Sequence, residues 1–344
     1  MPGTVTVNGA RLAYRFDGPE KGRVVLMSNS LMSSYDMWDW TVPALADRYR
    51  VLRYDTRGHG RSSTPPGPWS IAALADDAAG LLDALGIEAA HFVGLSMGGM
   101  VGQQLGARFP ARVLSLSLCD TASEMPPREM WEERLAIARS QGIAALAEGT
   151  LKRWFTEPFA RRAPGDIEKV RAMILGTGVE GYMACAGAIR DMAQTTMLLA
   201  ITAPTLVLTG RQDPATTVAH ATVLHRVIAG SRLVILEDTA HLSNIEQPQA
   251  FNAALRAFID EVDDRLPAAC PGPRRASRRG ADGHRDASWP ELAPDVESLE
   301  ATRDRGAAIG AAALGREPVG LDAVPVALDE LRSAARAEGR VALA

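Results

Sequence analysis

Cysteine is scarce and unpatterned. The 344-residue chain has three, Cys119, Cys185 and Cys270. The number is odd and the spacing matches no metal-binding motif, so a disulfide framework and a structural metal are both excluded as expectations. Free thiols suit a reducing compartment, and the expected location is cytoplasmic. A basic excess is also missing. There are 37 Lys and Arg against 41 Asp and Glu, for a net charge of −4. That balance speaks against nucleic acid or an anionic membrane surface as partner. The opening residues, Met1 to Val5, lack the charged-then-apolar layout of a signal peptide. No apolar run is long enough to span a bilayer.

What is present is alternation. Thr4–Val7 and Leu12–Phe16 flank Asn8-Gly9 and predict a hairpin. Val24–Ser28, Tyr49–Tyr54, His91–Val93 and Val113–Leu118 read as strands buried on both faces, and Ser70–Leu85 and Gly99–Leu105 as helices between them. Trp38–Arg48 has helical character. From 123 to 200 the strands stop, and four helical segments follow one another: Glu129–Arg139, Ala144–Phe155, Ile167–Leu175 and Gly181–Ala193. Strands resume at Thr205–Thr209 and Arg232–Leu236, with a closing helix from Gln249 to about Val262. The expectation is an α/β fold: a mostly parallel central sheet with helices on both faces and an all-helical cap insertion. The core would comprise 1–122 and 201–265, and the cap 123–200. Residues 266–344 are rich in Ala, Arg, Pro and Gly, without Lys, Phe or Tyr, and read as a linker and a largely disordered tail.

The centre of the chain is Gly94-Leu95-Ser96-Met97-Gly98, set between a strand and a helix. A sharp strand-to-helix turn exposes its middle side chain, and the flanking glycines permit the turn and close packing. The helix N-terminus favours negative charge just above Ser96. A serine hydroxyl needs a base, and the base needs an orienting acid. Of six histidines, His241 sits late, in the loop after the last strand, where the order Ser…Asp…His requires it. Asp213, in Gly210-Arg211-Gln212-Asp213-Pro214, is the candidate acid; Asp120, directly after an earlier strand, is the alternative. The amides of Met97 and Leu31 are the expected oxyanion donors. The more common His-Gly pair of that second loop is replaced by Asn29-Ser30.

With these residues in view, the chain resembles the α/β-hydrolase superfamily and, within it, the 3-oxoadipate enol-lactonases. The resemblance rests on Ser28-Asn29-Ser30-Leu31, on Arg53 through Ser62, on Gly94 through Met100, on Gly210 through Pro214 and on Ala240 through Pro248. It spans residues 1 to about 264. It implies the α/β-hydrolase fold, no metal or organic cofactor, and a nucleophile, acid and base at Ser96, Asp213 and His241. The implied reaction opens a small anionic lactone, 3-oxoadipate enol-lactone, through an acyl-enzyme in aromatic catabolism. An anionic substrate in a mildly acidic protein calls for a local cation. Cap arginines Arg134, Arg153 and Arg190 are candidates, with Trp131 and Trp154 as lid residues. Two departures stand out: Met32 occupies a place where a small residue is expected, and the tail lies outside the plain family pattern. Other readings within the fold are a carboxylesterase, a perhydrolase or a hydrolase of carbon–carbon bonds. A reading from another class is a receptor that binds a ligand without turnover.

Overall fold

The computed structural model describes residues 2–267. Most of the tail expected to be disordered, with Cys270 and His284, lies outside the described residues. Eight strands form one sheet in the order β1-β2-β4-β3-β5-β6-β7-β8. The strands are β1 (Pro2–Val7), β2 (Ala10–Asp17), β3 (Val24–Ser28), β4 (Arg50–Tyr54), β5 (Ala90–Leu95), β6 (Val113–Cys119), β7 (Thr205–Gly210) and β8 (Arg232–Leu236). Strands β1 and β2 pair antiparallel around Asn8-Gly9, where both turn residues take positive φ, 46° and 74°. From β4 to β8 every pairing is parallel. Strands β3, β5 and β7 are buried along their whole length, as helices on both faces demand.

Helix α1 (Ile71–Ala84) starts where the Ser70 hydroxyl accepts the Ala73 amide, 3.1 Å, and stops before Gly86 at φ 68°. Helix α2 (Met97–Arg108) follows β5 without a linker beyond Ser96. Between β6 and β7 lie five helices: α3 (Arg128–Gln141), α4 (Ala144–Trp154), α5 (Glu157–Arg162), α6 (Pro164–Leu175) and α7 (Val179–Asp191). Helix α8 (Val218–Val227) joins β7 to β8. Short α9 (Ser243–Glu246) and α10 (Pro248–Asp263) close the described chain. Helix α10 buries Phe251, Leu255, Phe258, Ile259 and Val262 as one stripe, each side chain contributing about 1.5–3 kcal/mol of transfer free energy.

Two elements differ from the sequence expectation. Trp38–Arg48 forms no α-helix but two single turns, Tyr35–Trp38 and Val42–Ala44. Pro43 has no N–H to give to a continuing helix, and the Trp38 indole instead donates to Asn29 Oδ1 at 2.9 Å. Helix α5 is the second difference. Its six residues are too few to show a period, but the Thr156 hydroxyl caps it by accepting the Phe159 amide. Among the described residues no single helix is long and apolar enough to cross a membrane.

Candidate active site

Parallel pairing brings the carboxyl ends of β5, β6, β7 and β8 to one edge of the sheet, about 4.8 Å apart from strand to strand. The loops that leave them are stitched together. Ser96 N donates to Cys119 O at 2.9 Å, Asp120 N to Leu208 O at 2.8 Å, and Arg211 N to Leu236 O at 2.8 Å. Ser96, Asp120, Asp213 and His241 therefore open on the same edge.

Ser96 has φ 57° and ψ −116°, a strained conformation for a residue with a Cβ. Its carbonyl is held by the Thr121 hydroxyl at 2.7 Å and by the Met100 amide at 3.0 Å. The glycines of the elbow are required by space. A Cβ on Gly94 would stand 2.1 Å from Gly98 O, and one on Gly98 2.0 Å from Ser28 O. The elbow is thus pressed against the end of β3, where the second oxyanion loop begins.

His241 is 3% exposed, and its Nδ1 lies 2.7 Å from Asp213 Oδ2. The other ring nitrogen, Nε2, is left to exchange a proton. Asp213 Oδ1 accepts the amides of Ala215, 2.8 Å, and Thr216, 3.0 Å, while the Thr216 hydroxyl donates to Oδ2 at 2.6 Å. Burial pushes the Asp213 carboxyl up, but the His241 charge and hydrogen bonds from His241 and Thr216 outweigh it and hold the group below the ordinary carboxylate value. Asp120 is the reverse case. It is fully buried; Oδ1 accepts the Gly210 amide at 2.8 Å and Oδ2 is bonded to the Ser243 hydroxyl. Burial, and then the Asp213 charge, raise it well above 3.8. The two neighbouring carboxyls are driven apart, Asp213 downward and Asp120 upward.

The Leu31 amide donates to no protein acceptor among the described residues, and Met97 is the first residue of α2, whose N–H has no intrahelical partner. These are the two amides expected to receive an oxyanion. Asn29 anchors the loop by donating to Tyr54 O at 2.8 Å. Among the described residues no group of three or more His, Cys, Asp or Glu side chains is placed to hold a metal ion.

The cap reaches the site through Trp154. Its ring centroid lies 6.2 Å from that of His241, and its carbonyl accepts the amides of His241 and Leu242, each at 3.1 Å. Glu246 completes this weld. It is 2% exposed and accepts the Ala240 amide at 2.9 Å, the Thr156 amide at 3.1 Å and the Thr156 hydroxyl. Glu246→Ala is expected to lose about 2–3 kcal/mol of stability, with Glu246→Gln losing less, because an amide keeps one acceptor oxygen. Urea unfolding of the two variants checks this; equal losses would mean that packing, not acceptance, is what Glu246 supplies.

Of the other cap candidates, Trp131 donates its indole N–H to Met125 O at 2.9 Å and lies under Arg134, 5.3 Å from ring centroid to guanidinium carbon. Arg134 Nε bonds the fully buried Tyr182 hydroxyl at 3.2 Å. Arg190 is not brought into this group: both its Nε and Nη2 pair with the neighbouring Asp191 carboxylate, at 2.9 and 2.7 Å. His91 sits at the opposite end of the sheet, between Ser115 Oγ, 2.8 Å, and Asp263 Oδ1, 3.3 Å. His91 and Ser115 are both fully buried, and this second serine–histidine–carboxylate string ties α10 to the sheet. Sequence reasoning did not reach Thr216 or Thr121, and met Glu246 only inside the Ala240–Pro248 motif, without a role for it. Only Thr216 carried a local signal, a hydroxyl three residues after an aspartate in a turn.

A family model described as the alpha/beta hydrolase fold matches residues 23–248. 3-Oxoadipate enol-lactonase 2 of Acinetobacter baylyi is 39% identical over 256 residues, 74% of this chain and 96% of that protein. A putative carbamate hydrolase of Azorhizobium caulinodans is 30% identical, with 74% of this chain and 97% of that protein covered. Among solved structures, the enol-lactonase from Burkholderia xenovorans LB400 aligns with a TM-score of 0.74 and 40% identity, over 75% of this chain and 100% of the other.

Proposed function

The chain belongs to the α/β-hydrolase family, where its relatives include 3-oxoadipate enol-lactonases, and from that premise we propose that it is a serine hydrolase opening 3-oxoadipate enol-lactone to 3-oxoadipate. Ser96 Oγ attacks the lactone carbonyl and gives its proton to His241 Nε2. The oxyanion forms against the amides of Leu31 and Met97. The ring C–O bond breaks, the enolate leaves, and the His241 proton returns to it, so that it ends as a ketone. A water deprotonated by His241 then attacks the Ser96 ester; the acyl C–Oγ bond breaks, His241 returns its proton to Ser96 Oγ, and the second carboxylate leaves. Asp213 keeps His241 in the tautomer with hydrogen on Nδ1 and stabilises the imidazolium.

The observation that carries the anionic lactone over a neutral ester is the pair Arg134 and Arg153. Both are half-buried in the cap, and neither has a carboxylate within 4.0 Å among the described residues. Arg153 precedes Trp154, the residue against His241. Burial lowers its pKa, and the Arg134 charge lowers it further. Two guanidiniums near one another without a counter-ion suit a substrate carboxylate. Arg153→Gln and Arg134→Gln are each expected to raise KM for the lactone about 10–100-fold, the worth of a charge-assisted hydrogen bond. A neutral p-nitrophenyl ester should keep its KM. An unchanged lactone KM would remove the arginines from the binding site.

The reading as a whole is tested by following loss of the ultraviolet absorbance of freshly generated lactone beside p-nitrophenyl ester cleavage. Lactone turnover with weak ester cleavage supports it. Ester cleavage alone would favour an esterase or carbamate hydrolase using the same triad. A folded protein inert to both substrates and to a fluorophosphonate would favour a binder.

A further inference from the structure

Met32 follows the expected oxyanion residue Leu31 and has φ 62°, a left-handed conformation that costs a residue with a Cβ about 1 kcal/mol or more. It is 1% exposed, so its side chain has no freedom to relax the strain outward. The loop around it is tied by the Ser33 hydroxyl to Ser30 O at 2.7 Å and by the Ser30 amide to Met37 Sδ at 3.3 Å, and at Met32 itself one contact holds the amide. The Met32 amide donates to His59 Nε2 at 3.1 Å. His59 is itself rigid. Its Nδ1 lies 3.3 Å from Arg57 O, which makes Nδ1 the protonated nitrogen and leaves the Nε2 lone pair for Met32. Its backbone is closed into a turn by His59 N to Thr56 O and Ser62 N to His59 O, each 3.0 Å. Next to it Gly60 passes so close to the Asp55 carboxylate that a Cβ would stand 2.3 Å from Oδ2. Burial lowers the His59 pKa to about 4, so the imidazole stays neutral at ordinary pH.

We propose that His59 is the positioning residue of the oxyanion hole: by accepting the Met32 amide it holds Met32 left-handed and thereby aims the Leu31 N–H at the oxyanion above Ser96. This rests on the serine-hydrolase reading above, but not on the lactone as substrate. His59 touches no reacting atom. It acts because the Leu31–Met32 peptide is pinned at its nitrogen, which fixes the Leu31 Cα on one side, while the preceding peptide, which carries the Leu31 N–H, is held at Ser30 O by the Ser33 hydroxyl at 2.7 Å. The dependence on a histidine follows from the methionine. A glycine at 32 would take the same φ without strain and would need less holding.

The test uses the full chain with p-nitrophenyl acetate and a fluorophosphonate, both of which react at Ser96 whatever the natural substrate. His59→Ala should lower kcat about 10²-fold, the effect of losing one oxyanion donor, with KM changed less than threefold. Fluorophosphonate labelling should slow by a similar factor. His59→Gln, whose side-chain amide oxygen can reach the Met32 N–H, should recover much of the loss. In the Met32→Gly background the same His59→Ala change should cost less than about fivefold. An equal loss in both backgrounds would overturn the proposal, as would wild-type kcat in His59→Ala. Should His59→Ala fail to fold, His59→Gln and the Met32→Gly double variant decide: loss of kcat in both, with unchanged stability, overturns it. If wild type cleaves the ester but not the lactone, only the substrate reading falls. A folded wild type that neither cleaves nor labels would overturn both.

Discussion

Ser96→Ala is expected to fold as wild type does and to lose about 10⁶-fold in kcat, as removal of the nucleophile does in other triads. Folding is spared because the backbone contacts of Ser96 stay in place: its amide to Cys119 O and its carbonyl to Thr121 and Met100. None of them uses the hydroxyl. The strained φ of 57° is retained, since alanine meets the same steric cost as serine. The residual rate is that of the oxyanion amides and of binding alone. Steady-state turnover, circular dichroism and covalent labelling together check the expectation. A variant retaining a tenth of wild-type turnover would show that another group is the nucleophile.

Asp213→Asn is expected to lower kcat about 10⁴-fold, because an amide facing His241 Nδ1 favours the wrong tautomer and cannot stabilise the imidazolium. Asp120→Asn is the decisive companion. Burial and the Asp213 charge disfavour a charge on Asp120, and an asparagine oxygen can still accept the Gly210 amide while its NH₂ meets Ser243. Its turnover should stay within about tenfold of wild type, because Asp213 and not Asp120 is bonded to His241. Collapse of Asp120→Asn with a near-normal Asp213→Asn would exchange the two roles.

The same pair has opposite signs in stability. Asp213 is held below its ordinary value, so its contribution is present above the unfolded pKa and is lost as pH falls through the folded one. Asp120 is raised above 3.8, so the unfolded chain ionises first and stability falls as pH rises from there toward the folded pKa. Urea unfolding across pH should therefore be flatter for Asp120→Asn than for wild type on the side above pH 4.

The sheet was legible because its strands are short apolar runs separated by turn residues, and burial on both faces leaves no other use for Val24–Ser28 or Thr205–Thr209. Ser96 was legible for a related reason. The spacing of Gly94 and Gly98 answers a contact within a few residues, where a Cβ would strike the elbow itself or the end of β3. The candidates Asp213 and His241 could be named from their places after successive strands. Their 2.7 Å hydrogen bond could not, because it closes over 28 residues.

What only the tertiary structure decided concerns partners far apart in the chain. A composition of charges does not say which arginine is spent: Arg190 is taken by its neighbour Asp191, while Arg134 and Arg153 have no carboxylate within 4.0 Å among the described residues. Nor does spacing say which of two buried aspartates is pushed up, since burial and the charge of Asp213 act on Asp120 across strands. Met32 looked like a departure in the sequence. The structure gives the departure a partner, His59, 27 residues away. Local pattern determined the elements and the elbow that presents Ser96, because their causes lie within one turn or one strand. The charge states, the cap contacts and the hold on the oxyanion loop depend on distances that only the packed chain sets.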